Sequence, residues 1–240
     1  MKHILFGIVF ILILTSCRTS FNYAQMNSDN PYIEKDENGN FISDSDSLNI
    51  TYSFYGENAP VSVAVKNKMC RPLYIDWNES VFRFGDNEEN IFSPAAYMGE
   101  EEKTELIEPY SEKKRVLLEI SNLDLRKIDT FFVEPQPIKK SNGKTVKLKR
   151  LYFDEESTPL YINSTIALRI GGKDEKPLYY EQDFYMSSII KNCAFKPEKL
   201  DGYANGRGDC FYIVNYKDDT FGTVLFILGV IGSLNNDSEE

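Results

Sequence analysis

The sequence predicts a mainly β protein built from antiparallel strands. Three observations carry this. Apolar and β-branched residues alternate with polar ones at period two in several short runs, the pattern of half-buried strands. Two Asn-Gly pairs, Asn38-Gly39 and Asn142-Gly143, fall between such runs, where hairpin turns need left-handed backbone. No helical repeat separates the runs, which argues against βαβ crossovers and for an antiparallel Ig-like β-sandwich, placed at residues 31–218.

The chain opens on a leader. Lys2 and His3 form a polar start, Ile4 to Leu14 is almost wholly apolar, and Thr15 and Ser16 precede Cys17. This is the layout of an export signal over residues 1–16. The apolar run is too short for roughly 30 Å of hydrocarbon. "LTSC" at residues 14–17 resembles the lipobox of bacterial lipoproteins. The resemblance implies cleavage before Cys17 and acyl chains on its thiol and new amine. Such an anchor is stable, because each buried CH₂ contributes about 0.8 kcal/mol. Residue 18 is Arg rather than an Asp retention signal, so delivery to the outer membrane is expected, facing the periplasm or the surface. Residues 17–30 are polar and read as a tether between lipid and fold.

The strands follow. "YIEKDENGNFI" is a hairpin around Asn38-Gly39. It loosely suggests a calcium loop through Glu34, Asp36, Asn38 and Gly39, but Ser45 stands where the bidentate Glu belongs. Ile50, Tyr52 and Phe54 alternate with polar residues, as do Val61, Val63 and Val65. "NKMCRP" reads as a turn into "LYIDW", the expected partner of the preceding strand, and "SVFRF" continues the alternation. Phe92 to Tyr110 is acidic and reads as a surface loop. Arg115 to Ile120 and Phe131 to Val133 are strand candidates, and Ser121 caps an expected helical turn in "SNLDLRKI". "PIKKSNGKTVKLKR" is a second hairpin, followed by "LYINSTIALRI", "LYYEQDFYMSSII" and "CFYIVNY". Phe221 to Leu234 carries no charge. Residues 219–240 are set apart as a hydrophobic tail of helical or β structure that docks on a membrane or packs in the fold.

Composition excludes much chemistry. The 240-residue chain has 27 basic and 37 acidic residues, a net charge of −10, and one histidine. Cleavage at the lipobox removes that histidine, and with it Ser-His-Asp and Cys-His catalysis and imidazole-bound zinc. The acidic balance argues against nucleic-acid binding. Export permits disulfides, and Cys193 and Cys210 flank a Gly-rich loop that a bridge between them would close. Cys70 precedes Trp77, but no second cysteine supplies the inter-sheet bond of Ig domains.

Other stretches offer weaker signals. "SNGKT" lacks the first glycine of a P-loop, since Ile138 stands in its place, and reads as a turn. Lys139, Lys140, Lys144, Lys147, Lys149 and Arg150 form a basic cluster, suited to anionic headgroups or to a solvated hairpin. "RGD" at residues 207–209 matches an adhesive tripeptide. Asp154, Glu155, Glu156, Glu181, Asp183, Asp218 and Asp219 could include a glycosidase pair. Trp77 and the tyrosines could stack on sugars or pack a core.

"VSVAVKNKMCRPLYIDWNESVF", "YYEQDFYMSSI" and "CFYIVNY" resemble segments of uncharacterised Bacteroidetes lipoproteins. That likeness implies an exported β-rich fold and carries over no functional residue. The expected function is a lipid-anchored envelope protein with a non-enzymatic binding or scaffolding role. It would have no metal, cofactor or catalytic residue, and an envelope protein is a possible partner. The alternatives are a membrane-assembly subunit held also by the tail, and a carboxylate-dependent glycan hydrolase.

Overall fold

A computed structural model of the chain describes residues 19–85, 91–120, 125 and 128–215. Cys17, Ser121, Asp218, Asp219 and the Phe221–Leu234 tail lie outside the described residues, so the lipobox, helical-turn and tail expectations are not addressed by it. Its compact unit is Phe21–Ile213. Among the described residues, no helix is long and apolar enough to cross a membrane.

The described residues form fifteen strands, mostly antiparallel. In chain order these are β1 (Ser20–Asn27), β2 (Glu34–Lys35), β3 (Phe41–Asp44), β4 (Leu48–Ser53), β5 (Gly56–Glu57), β6 (Pro60–Asn67), β7 (Leu73–Phe84), β8 (Ile91–Phe92), β9 (Thr104–Ile107), β10 (Glu112–Glu119), β11 (Pro135–Lys139), β12 (Thr145–Tyr152), β13 (Tyr161–Ile170), β14 (Leu178–Cys193) and β15 (Cys210–Asn215). One sheet runs β10-β6-β4-β3-β2. The larger runs β5-β15-β1-β14-β13-β7-β8, with β12 also on β14, β11 on β12 and β9 on β7. The β5–β15 pair is parallel, so the larger sheet is mixed.

The two sheets face each other across an aromatic core. Phe184 of β14 packs on Phe41, Tyr52 and Phe54, with ring centroids 5.1, 4.9 and 5.1 Å apart. These tilted and edge-on geometries suit ring quadrupoles. β4 alternates buried and half-exposed residues as its sequence requires. β6, between β4 and β10, is buried along most of its length, with Lys66 exposed. Trp77 is core, 1% exposed, and is no sugar platform.

Several expectations are corrected. The tether is a strand from Ser20 onward. β1 lies between β14 and β15, with Tyr23 and Met26 fully buried. Its apolar residues alternate with polar ones that find partners, so it joins the sheet instead of the solvent. "LYIDW" and "SVFRF" form one strand, β7, that pairs with β13 and not with β6. The "NKMCRP" turn therefore crosses between sheets. Buried Asn67 holds it by donating to the carbonyls of Arg71, Ile107 and Glu108. The segment from Phe92 to Tyr110 contains strand β9, whose Ile107 is fully buried. Phe131 to Val133 is a turn, stapled by the Asp129 carboxylate accepting from the Phe131 amide at 2.7 Å. The two Asn-Gly turns predicted as hairpins hold: Gly39 and Gly143 adopt φ of 75° and 80°.

Candidate functional site

A polar cleft lies where β1, the β2–β3 turn, β12 and the loop before β15 meet. It starts from the alternation of β12. Val146, Leu148 and Arg150 share one face, and Lys147 and Lys149 the other. Arg150 lies opposite Ile190 of β14, and Ile190 lies opposite Tyr23 of β1, so the three side chains form one row on the sheet face away from the main core. Loop residue Tyr203 covers this row. The Tyr203 ring sits 4.6 Å from Tyr23, and its hydroxyl donates to the Ala24 carbonyl at 3.1 Å. The Tyr23 hydroxyl donates to the Phe195 carbonyl at 2.5 Å. Burial raises both phenols well above their ordinary range.

The floor of the loop is the "RGD" stretch. Asp209 is fully buried, with its carboxylate at the centre of a polar cluster. Arg207 grips it through Nε and a terminal nitrogen, both at 3.0 Å. Gln25 of β1 donates at 3.0 Å, and Lys35 of β2 lies at 3.3 Å. Burial alone would raise this carboxyl, but the bonds from Arg207 and Gln25 and the Lys35 charge outweigh it and hold the value low. The Asp209 carbonyl accepts from the Met26 amide at 2.7 Å, and the Gly208 carbonyl from Phe54 at 2.7 Å. Neither Gly39 nor Gly208 has room for a side chain. A Cβ on Gly39 would stand 2.5 Å from the Asp209 carboxylate, and one on Gly208 would run into Asn40. The tripeptide is thus a structural latch, not a displayed adhesive loop.

Above the latch the cleft holds about 440 Å³, and its lining mixes Arg150 and Arg207 with Glu37 and Asp201, beside Gln25 and Tyr203. Arg150 differs from Arg207. Its Nε is buried without a hydrogen-bond partner. No carboxylate among the described residues pairs with it within ion-pair distance. A buried guanidinium nitrogen left unmatched is costly, and an anion in the cleft would relieve it.

The two candidate bridge cysteines do not meet. Cys193 lies opposite Phe21 on one side of β1, and Cys210 is on β15 on its other side. Two strand spacings of about 4.8 Å exceed the reach of a disulfide. Both are separate buried thiols, while Cys70 is exposed. Burial, with the adjacent Asp209 charge, pushes the Cys210 thiol up to about 12, so it is a poor nucleophile near neutrality.

Of the acidic candidates, Asp183 and Glu155 both approach the Tyr161 hydroxyl and, after burial, raise that phenol, while others serve local turns. Asp154 caps a turn through Ser157, Asp183 accepts from Asn163 at 2.8 Å, and Asp36 is tied to Asn40 within its hairpin. Arg150 was legible only as a member of the basic cluster; its place on the apolar parity of β12, with Val146 and Leu148, is the signal that singles it out. No protein-family model, curated protein or solved structure matches the chain, so the site stands on its own geometry.

Proposed function

We propose that this chain is a lipid-anchored cell-envelope protein, acylated at Cys17, whose β domain is a non-enzymatic binding module for a small anion of the carboxylate or phosphate class. The single observation that supports it is Arg150, a guanidinium lining a roomy cleft with its Nε buried and unpartnered. Arg207 adds positive potential, although Asp209 already neutralises much of it. Within this reading the fold is an elaborated Ig-like sandwich. The packing of Phe184 against the aromatic residues of β3 and β4 supports that assignment.

Calorimetric titration with inorganic phosphate, succinate and a sugar phosphate tests the cleft. At least one is expected to bind, and Arg150→Gln is expected to weaken it by about 1.5–3 kcal/mol, roughly ten- to a hundredfold. The same substitution should leave the thermal midpoint unchanged or raised, because it removes an unmatched group. No binding by any of these anions, or equal binding by the variant, sinks the cleft assignment. Mass spectrometry of the mature N-terminus tests the anchor independently. An unmodified Cys17 sinks that part.

A further inference from the structure

The far face of the β11–β12 hairpin carries a second surface, separate from the cleft. We infer that it is a membrane-contact face that seats on anionic phospholipid headgroups, with Phe131 and Phe132 as the inserting residues. Strand pairing sets Lys149 opposite Pro135 and Lys147 opposite Pro137, so both lysines project from the face that does not carry Arg150. Lys144 stands in the hairpin turn. None of these three lysines forms an ion pair with a described residue. Lys149 instead donates to the Phe131 carbonyl at 2.7 Å and sits 5.5 Å above the Phe131 ring, which ties the turn at Phe131 to the hairpin. Phe131 and Phe132 are 74% and 87% exposed, with rings edge-on at 5.1 Å.

Adjacent phenylalanines that exposed need a reason, since a soluble surface gains nothing from them. The occupant follows from the chemistry around them. Unpaired lysines next to two side chains with no polar atom match a surface that is anionic outside and hydrocarbon beneath. They occur on a chain of net charge −10, so the local positive field is an exception to the whole. Asp129 and Glu134 are the described acids nearby in sequence, and Asp129 is tied to the Phe131 amide. A single-stranded nucleic acid would also accept lysines and rings, but the export leader and the acidic remainder favour lipid.

The test places a reporter at the proposed point of entry. Mature protein carrying Phe132→Trp is mixed with vesicles of phosphatidylcholine, with or without phosphatidylglycerol, containing brominated acyl chains. Trp77 is buried, so the unsubstituted protein supplies the background. The expected result is a blue shift and quenching at residue 132 on the phosphatidylglycerol vesicles. Lys147→Glu with Lys149→Glu should lower that partitioning by roughly tenfold or more. An unshifted, unquenched residue 132 overturns the inference. So does quenching that ignores the lysine reversal, or a response to an oligonucleotide in place of the vesicles. The signal is read alike from anchored and added protein, so failure of the Cys17 anchor would not mimic failure here.

Discussion

A carboxylate with no exposed surface must be matched by its surroundings, and Asp209 is matched from three separate stretches of chain. Its partners come from β1, β2 and its own loop. Removing it would leave Arg207 and Lys35, each partly exposed, without their shared counter-charge. Asp209→Asn is therefore expected to cost about 3 kcal/mol, read as a shift in the urea midpoint. The pH dependence has a definite sign. The folded carboxyl is held below its ordinary value, so its contribution is complete above the unfolded value of about 3.9 and fades as pH falls through the lower folded one. The wild-type advantage over Asp209→Asn should accordingly shrink in acid, and an advantage that grew there would contradict the assignment. The nearby glycines are part of the same latch. Gly39→Ala combines a left-handed backbone with a clash on the carboxylate, and should destabilise by about 2 kcal/mol in the same assay.

Among the elements, β1 has the most to lose and was the hardest to read. Its sequence, "SFNYAQMN", mixes Asn and Gln with the apolar residues and follows closely on the stretch read as a leader. Composition alone takes it for a linker. What makes it a strand is non-local: the Asn22 side chain accepts from the Asn192 amide, and Gln25 reaches Asp209. A chain beginning at Asn30 should fail to fold, whereas one beginning at Thr19 should retain its β-sheet circular dichroism and cooperative melting. The same strand keeps Cys193 from Cys210. Peptide mapping after alkylation should find Cys70 modified in the native state, and Cys193 and Cys210 only in denaturant. A Cys193–Cys210 bridge in native protein would refute this topology. By contrast, β4 was legible, because its periodicity is local and its burial follows it; β13 was legible as a strand, but its run from Ser164 to Leu168 is buried on both faces. The partner of β7 was not legible. Alternation fixes which face a strand buries, but not which sheet it joins.

At the scale of the whole molecule, the β11–β12 hairpin joins the two proposed surfaces. One face turns Arg150 toward the cleft, and the other turns Lys147 and Lys149 outward. The basic cluster that looks uniform in sequence is thus divided by strand parity into two roles. The order of assembly follows from the larger sheet. β1 is made first, yet its neighbours are β14 and β15, made last. The Gln25–Asp209 contact alone spans 184 residues. Loop closure on that scale makes folding slow, because the entropy is lost before the pairing is gained. A chain that stops short of β15 cannot complete this sheet. Until β14 is made, β1 has neither of its neighbours, so the centre of the larger sheet waits for the last third of the chain.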